Sequence, residues 1–406
     1  MGSAREYEKN NVQESERALG TSIMKTLTTN KLFTPIQVGP MELKHRVVMG
    51  PLTRSRSVQP GSIPGDLMLE YYSQRASDGG LIVSEGTSIS VAGGGWFGAP
   101  GLYSEEQVAG WKRITDAVHR KRGLMFSQLW HTGRAAHVDS TNGEIPVSSS
   151  VNPEYWQDST IQESTPHGWR QPSPHRALLI TEIPGIVEDY RKASEHAKAA
   201  GFDGVELHAG NGYLPDQFLQ DGVNRRTDMY GGSIENRSRF LLQVMEALVS
   251  VWGGNRVAVR IAPGGRWNGM SDSDPETLFD YVAKELNRFG LAYLHIIEPR
   301  VRGNVVIAKG QYAIAAARLR KIFEGKIIAA GGFEPGTAEE VVEKGDANLV
   351  AFGRLFLANP DLPKRIQLGL PLNAYDRQTF YTFDAQGYTD YPIYEQESEP
   401  VTSAIR

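Results

Sequence analysis

The feature that most constrains the fold is a repeat that runs along most of the chain. From about residue 45 onward, short apolar runs suited to buried parallel strands alternate with longer segments of helical period. Eight such runs occur: Val47–Gly50, Leu81–Ser84, Met125–Leu129, Val205–Leu207, Val257–Ile261, Tyr293–Ile297, Ile327–Ala329 and Leu349–Phe352. The helices predicted to follow them are Gly65–Ala76, Glu105–Arg122, Ile183–Ala200, Ile234–Val251, Pro275–Arg288, Ala313–Phe323, Thr337–Lys344 and Pro360–Leu368. This order predicts an α/β fold, a single (β/α)8 TIM barrel, with a doubly wound sheet as the alternative.

Two segments depart from this simple alternation. The stretch from His131 to Leu179, after the third predicted strand, is long, rich in Ser, Pro, Asn and Trp, and shows no helical period. Loops of this length inside a compact domain are usually lids or small subdomains, so we predict a capping excursion over the barrel mouth. A surface decoration is the alternative. The segment Phe33–Lys44 carries turn residues and predicts a hairpin that closes the opposite end of the barrel.

The two termini differ in composition from the rest of the chain. Residues 1–30 are polar and charged, lack the apolar core of a secretory signal, and open with "MGS". We expect them to be disordered or introduced by cloning, with a native extension as the alternative. The domain prediction is therefore an N-terminal extension over 1–30, one barrel over 31–394, and a C-terminal tail over 395–406. We expect the protein to be cytoplasmic.

Composition excludes several classes of partner and of chemistry. The chain has 406 residues, 40% of them hydrophobic, and a net charge of −4 without a Lys/Arg-rich block. No apolar run approaches the roughly 18 residues that span a bilayer. These properties predict a small-molecule partner, with neither nucleic acid nor a membrane. Because the chain contains no cysteine, redox chemistry must come from a cofactor, and we predict no metal site.

A cluster of proton donors follows the fourth predicted strand, in the segment "ELHAGNGYLPDQFL". His208, Asn211 and Tyr213 lie within six residues of one another there. One interpretation is a satisfied core histidine beside a packed tyrosine. The other is catalytic, because the carboxyl ends of barrel strands carry the active site.

The other strand ends suggest what would bind beside these donors. The seventh and eighth strands are followed by "AAGGFEPGT" and "FGR", whose glycine turns expose backbone N–H groups suited to a phosphate. A tight turn, or a simple ion pair for Arg260, is the alternative reading. A planar heterocycle that carries a phosphate would suit the groups predicted around the barrel mouth, which are a phosphate site, an arginine, a glutamine and a small hydroxyl. Flavin mononucleotide (FMN) fits that description.

Several stretches of the sequence then resemble one known family. They are "FTPIQVG", "HRVVMGPLTRSRS", "IVSEGTSIS", "SQLWHTGR", "GVELHAGNGYLPDQFLQDGVNRRTDMYGGSIENRSRF", "FGRLFLANPDLP" and "YDRQTFYTFDAQGYTDYP". They look like the old yellow enzyme family of flavin-dependent ene-reductases, over about residues 31 to 394. The region from His208 to Phe240 is the most specific part of the similarity.

The resemblance implies a role for each matching residue. The implied contacts with non-covalent FMN are Pro51 and Thr53 at the ring, Gly86, Gln128 and Arg260 at the pyrimidine and ribityl side, and Gly331, Gly332, Gly353 and Arg354 at the phosphate. The implied substrate pocket contains Trp96, Trp130 and Tyr381. His208 and Asn211 would donate hydrogen bonds to a substrate carbonyl, and Tyr213 would supply a proton.

The activity implied by the resemblance is ping-pong reduction of the C=C bond of α,β-unsaturated carbonyl compounds by NADPH or NADH, with nitroalkenes as further substrates. Hydride attack at the β-carbon places negative charge on the carbonyl oxygen, so two donors aimed at that oxygen stabilise the transition state. Tyr213 can then protonate the α-carbon, because a phenol is a neutral donor at pH 7.

Three alternatives to this interpretation stay open. One is a dedicated biosynthetic enal or enone reductase, or an isomerase, of the same family. Another is a flavin-free barrel isomerase or lyase acting on a phosphorylated substrate, and the third is a non-catalytic barrel. The loop after the sixth strand reads Arg302–Gly303–Asn304–Val305, where some family members have an aromatic residue, so we expect that pocket wall to be more open. We predict a monomer or a homodimer.

Overall fold

The computed structural model of the protein describes residues 30–302, 305–306 and 315–395, and its centre is a closed barrel of parallel strands. The barrel strands are β1 Val47–Met49, β2 Leu81–Val83, β3 Leu124–Trp130, β4 Gly204–Ala209, β5 Val257–Ile261, β6 Tyr293–Ile297, β7 Ile327–Ala330 and β8 Leu349–Phe352. They pair in sequence order, and Phe352 of β8 pairs with Met49 of β1 to close the barrel. The predicted (β/α)8 barrel is confirmed, and the doubly wound sheet is wrong.

A helix follows each barrel strand within the described residues. These helices are α1 Asp66–Arg75, α2 Glu105–Arg120, α3 Ile183–Ala199, α4 Ile234–Trp252, α5 Pro275–Leu286, α6 Ala316–Leu319, α7 Pro335–Glu343 and α8 Leu362–Leu368. Shorter helices lie at Pro153–Gln157, Leu214–Leu219 and Arg354–Ala358. Single 3-10 turns lie at Lys31–Phe33, Val138–Ser140, Gly254–Arg256, Trp267–Gly269, Asn287–Phe289 and Arg377–Thr379.

The helix ends follow local sequence signals. Helix α2 begins after Ser104, whose side chain accepts from the Gln107 backbone N–H while the Gln107 side chain caps the helix start in return. The helix ends at Arg120, two residues before its predicted end at Arg122, because Arg122 adopts a φ of +58° that a helix does not allow. Helix α6 is much shorter than predicted. Its predicted first residues, 313 and 314, lie outside the described part of the chain.

Strand β4 extends further than its apolar pattern predicts. It runs through Ala209 rather than ending at Leu207, and His208 pairs in register with Arg260 on β5. His208 is therefore a strand residue, whereas Asn211 and Tyr213 follow in the loop. Side chains alternate along a strand, so Glu206 and His208 share the inner face of the barrel.

A hairpin closes the amino-terminal end of the barrel, as predicted. Its strands, Ile36–Val38 and Met41–Leu43, pair antiparallel, and their buried side chains pack with Val48 and Phe126 inside the barrel. Gly39 turns the hairpin with a φ of +54°. A Cβ at Gly39 would lie 1.9 Å from the carbonyl oxygen of Asn255, immediately before β5, so no other residue fits this approach.

The excursion from His131 to Leu179 contains regular structure that its sequence pattern does not show. Val147–Ser148 pairs in parallel with Arg176–Ala177, and a hairpin joins Glu163–Thr165 to Gly168–Arg170. These strands have two or three residues each, which is too short for a period to be read. The predicted extension over 1–30 lies outside the described residues except for Asn30, and the predicted tail over 395–406 does so except for Glu395.

Candidate active site

A cavity of about 630 Å³ opens at the carboxyl ends of the barrel strands. Its volume is in the range of small-molecule and cofactor sites. With the exception of Gly86, every residue that the sequence assigned to the site lines this cavity. The barrel topology therefore brings together residues that are far apart in the chain.

His208 projects from the end of β4 and is 4% exposed. Burial, followed by the positive charge of Arg260 and the proximity of His295, holds the pKa of His208 well below its ordinary value. The imidazole is therefore neutral at pH 7, with one ring nitrogen as donor and the other as acceptor. Its Nδ1 atom is buried without a hydrogen-bond partner.

Tyr213 lies two residues beyond Asn211 in the loop after β4. Its ring packs edge-on against His208, with 5.0 Å between ring centroids, and against Trp130, at 4.9 Å. Burial, together with the nearby carboxyl of Glu163, raises the pKa of the Tyr213 phenol. The hydroxyl is therefore protonated across the ordinary pH range and can act as a proton donor.

The loop that carries these donors is fixed by its own backbone. Asn211 adopts a φ of +57°, a left-handed conformation that Asn tolerates better than most residues. The Gly212 backbone N–H donates to Asp216 Oδ2 at 2.8 Å, and the Asn268 side chain donates to the Asn211 carbonyl oxygen at 3.0 Å. These contacts hold Asn211 at the cavity wall.

Below the cavity, polar side chains form a buried layer inside the barrel. Gln128 Nε2 donates to Glu206 Oε1 at 2.7 Å, and His295 Nδ1 lies 2.9 Å from Glu206 Oε2. Gln128 and Arg260 border the cavity itself. The Nε atom of Arg260 is buried without a hydrogen-bond partner.

The loops after β7 and β8 form the opposite wall. Gly331 and Gly332 adopt φ values of +116° and +67°, a backbone region open mainly to glycine. Gly353 and Arg354 follow β8 and line the same part of the cavity. The Arg354 guanidinium carbon lies 5.4 Å from the centroid of the Tyr375 ring.

The site residues predicted after β1 line the cavity, whereas the one predicted after β2 does not. Pro51 and Thr53 line the cavity after β1, as the sequence suggested. Gly86 does not line it, and a Cβ at that position would lie 2.5 Å from Cε3 of the Trp130 indole. Gly86 therefore leaves room for the Trp130 indole, and its contact with the cofactor stays a prediction.

An aromatic cluster forms the outer wall and includes a residue that the sequence did not indicate. Trp96 packs edge-on with Tyr381, with 5.2 Å between centroids, and Trp169 packs with both rings at 5.4 and 5.7 Å. Trp169 belongs to the hairpin in the excursion. The sequence shows only an aromatic residue within a long loop, and that signal does not locate Trp169 at the cavity.

Glu163, on the same hairpin, is a second residue that the sequence did not indicate. It is 2% exposed, and its Oε1 accepts from the Tyr155 hydroxyl at 3.0 Å. Burial raises the pKa of this carboxyl to about 8, although hydrogen bonds from Tyr155 and Trp96 act in the opposite direction. Glu163 is therefore an uncharged acid at pH 7.

The cavity wall has the properties that FMN requires. Buried polar atoms are normally hydrogen-bonded, yet Arg260 Nε, on the side of the cavity assigned to the cofactor, has no partner among the described residues. Gln128 adds an amide beside Arg260, and the glycine loops with Arg354 lie at the other side. A planar polar ring with a phosphate chain would use both sets of groups.

Comparison with known proteins identifies the family. The profile of the NADH:flavin oxidoreductase / NADH oxidase family matches residues 31–373. The chain belongs to this family. It is 47% identical over 373 residues to 12-oxophytodienoate reductase 1 of Oryza sativa subsp. japonica, covering 91% of this chain and 94% of that protein. A 12-oxophytodienoate reductase 2 of Arabidopsis thaliana is 45% identical, with 90% and 96% covered.

Solved structures support the same assignment. A morphinone reductase in complex with tetrahydroNAD superposes with a TM-score of 0.82 at 46% identity, covering 90% of this chain and 98% of that one. The old yellow enzyme homologue from Zymomonas mobilis gives a TM-score of 0.84 at 41% identity, with 89% and 99% covered. The resemblance seen in the sequence is thus confirmed. The protein is an FMN-dependent oxidoreductase of the old yellow enzyme type, which uses a nicotinamide reductant.

The assignment decides between the alternatives that the sequence left open. A flavin-free isomerase or lyase and a non-catalytic barrel are both wrong for a member of this family. A dedicated reductase or isomerase within the family stays open. None of the helices in residues 30–302 and 315–395 is long and apolar enough to cross a membrane.

Proposed function

We propose that this enzyme is an ene-reductase that reduces the C=C bond of α,β-unsaturated carbonyl compounds, and of nitroalkenes, at the expense of NADPH or NADH in a ping-pong cycle. The observation that carries the proposal is the convergence of His208, Asn211 and Tyr213 on one cavity wall. Reduction is favoured over isomerisation because the relatives named above are all described as reductases or as an old yellow enzyme homologue.

The residues around the cavity divide into a cofactor side and a substrate side. FMN, when bound, supplies the hydride chemistry of both half-reactions. Residues proposed to hold its ring are Pro51, Thr53, Gln128 and Arg260, and those proposed to hold its phosphate are Gly331, Gly332, Gly353 and Arg354. Trp96, Trp130 and Tyr381 form the aromatic wall on which the substrate packs.

His208 and Asn211 bind the substrate carbonyl oxygen. A neutral imidazole and a carboxamide each offer an N–H donor, and both side chains line the cavity. As the hydride arrives at the β-carbon, the electron pair of the C=C bond moves toward this oxygen. Two fixed donors in a site that excludes water stabilise that charge more than they stabilise the ground state.

Tyr213 delivers the proton that completes the reduction. Its hydroxyl gives a proton to the α-carbon, the C=C bond becomes a C–C bond, and the tyrosinate regains a proton from solvent. A phenol whose pKa is raised by burial is a weak acid, so transfer occurs only as the carbanion character develops. Edge contacts with His208 and Trp130 orient the phenol ring.

Purified protein tests this proposal directly. We expect a yellow protein with about one non-covalent FMN per chain, which denaturation releases. A panel of enones, enals, maleimides and nitroalkenes, assayed under nitrogen with NADPH and with NADH, gives the substrate class and the preferred reductant. Folded, colourless protein that cannot be reconstituted with FMN would contradict the proposal. The monomeric or dimeric state and the cytoplasmic location stay predictions.

A further inference from the structure

A buried carboxylate lies directly beneath the cofactor side of the cavity and has no role in the chemistry described so far. Glu206 is on β4, two residues before His208, and is fully buried. The register places it opposite Gln128 on β3, while Arg260 on β5 pairs with His295 on β6. Arg260 pairs with His208 rather than with Glu206 between β4 and β5, but His295 Nδ1 lies 2.9 Å from Glu206 Oε2 and the charge of Arg260 acts on that carboxylate. A carboxylate, an amide, a guanidinium and an imidazole therefore lie together in the buried polar layer.

Glu206 is ionised in this layer. Burial by itself would raise its pKa, but contacts with His295, the charge of Arg260 and the hydrogen bond from Gln128 together hold the pKa below its ordinary value. Burial lowers the pKa of His295, which is also fully buried. A neutral His295 then donates through Nδ1 to Glu206 Oε2, which agrees with its Nε2 atom having no partner.

The charge on Glu206 fixes the orientation of Gln128. A carboxylate only accepts hydrogen bonds, so the amide nitrogen of Gln128 must face Glu206 Oε1, at 2.7 Å. The Gln128 backbone N–H also donates to Ser84 Oγ at 2.9 Å, which fixes the start of the side chain. The Gln128 carbonyl oxygen and its second N–H are left for a ligand. This pair complements the imide of a flavin pyrimidine, which presents an N–H beside a carbonyl.

We propose that Glu206 is the positioning residue of the cofactor site: it sets the orientation of the Gln128 amide and offsets the charge of Arg260, and so determines the affinity and the reduction potential of bound FMN. The proposal rests on the proposed function, since it takes Gln128 and Arg260 as flavin contacts. Glu206 itself does not line the cavity, so it acts through the residues that do.

The direction of the effect on the potential follows from charge. Two-electron reduction adds negative charge to the flavin, and a nearby carboxylate opposes that addition. Glu206→Gln removes the carboxylate, so the equilibrium constant for reduction rises on the order of tenfold, which is about 30 mV for a two-electron couple. The affinity for oxidised FMN falls by about tenfold, because a carboxamide can donate as well as accept and no longer holds the Gln128 amide in one orientation.

The experiment measures FMN affinity of the apoprotein and the midpoint potential of the reconstituted protein, neither of which is an activity. Glu163→Gln is the matched control, because Glu163 is also a buried carboxyl but lies in the capping hairpin and is neutral. We expect it to leave both quantities unchanged. Gln128→Ala, alone and combined with Glu206→Gln, completes a double-mutant cycle. If Glu206 acts through Gln128, the two losses of FMN affinity are not additive.

A second pair of variants keeps the test decisive if Glu206→Gln does not fold. His295→Leu removes the donor to Glu206 without altering a cavity-lining residue, so Glu206 holds the Gln128 amide less firmly and we expect the affinity for FMN to fall as for Glu206→Gln. His295→Gln keeps a donor and should restore that affinity. A parent protein that fails to bind FMN overturns the proposed function. A parent that binds FMN while folded Glu206→Gln shows the same affinity and potential overturns the role of Glu206 alone.

Discussion

Replacement of Tyr213 by phenylalanine separates the two half-reactions. The substitution removes one hydroxyl and keeps the ring, whose contacts with His208 and Trp130 at 5.0 and 4.9 Å do not involve that oxygen. We therefore expect the fold, FMN binding and reduction by NADPH to be nearly unchanged. Reoxidation by a simple enone such as cyclohexenone should slow, because the α-carbon loses its proton donor.

The size of this loss follows from the position of the phenol. A positioned general acid contributes about 10²-fold or more, which corresponds to about 2.7 kcal/mol of transition-state stabilisation. Tyr213 is 7% exposed, so water reaches the same face of the substrate poorly and replaces the phenol inefficiently. The slower reoxidation should persist at saturating enone, since the hydroxyl is not assigned to substrate binding.

Stopped-flow absorbance of the flavin measures each half-reaction separately, and a nitroalkene serves as the control substrate. Hydride transfer to a nitroalkene gives a stabilised nitronate without a concerted proton, so this step should be far less affected and nitronate should accumulate. If Tyr213 only packs, both half-reactions and both substrates show equal, small effects. Reoxidation by the enone at the parent rate would remove Tyr213 from the mechanism.

Three further predictions concern other residues in and around the cavity. Replacing His208 and Asn211 together by apolar residues should weaken phenol binding and enone turnover, by about 2–4 kcal/mol per important donor, with FMN still bound. Unchanged phenol affinity, measured by titration of the flavin spectrum, would place the carbonyl elsewhere. Burial raises the pKa of Glu163 to about 8, so the folded state retains a proton that the unfolded state releases. The free energy of unfolding should therefore fall by about 1.4 kcal/mol per pH unit between about pH 4.5 and 8. Chemical denaturation of Glu163→Gln should lack this component, and an identical pH slope in parent and variant would contradict the raised pKa. Trp169→Ala should raise KM for bulky enones more than for cyclohexenone and leave FMN affinity unchanged, whereas equal KM changes for both substrates would argue against a wall formed by Trp169.

Much of the fold follows from sequence patterns that are local. A parallel strand that is buried on both faces requires a continuous apolar run. Each run here is short, and the segment after it has a helical period, so the strand and the helix can be told apart from the sequence. The residues at the strand ends could be assigned to one site for the same reason, because a parallel barrel gathers all carboxyl ends at one face. On this basis the sequence assigns His208, Arg260 and Gly331 to one site, and all three line the cavity.

Tertiary structure alone decided the features that depend on contacts between distant segments. Trp169 reaches the cavity, and Glu163 lies behind its aromatic wall against Tyr155 and Trp96, through a hairpin of three-residue strands whose path no periodicity encodes. Gly86 follows β2 as a cofactor residue would, yet it does not line the cavity, and it lies so close to the Trp130 indole that a Cβ would not fit. Glu206 reads in the sequence as one polar residue in an apolar strand. Its contact with Gln128 follows from the register between β3 and β4, and its contact with His295 on β6 reaches past β5 inside the barrel. Closure of the barrel fixes both contacts, and local sequence does not.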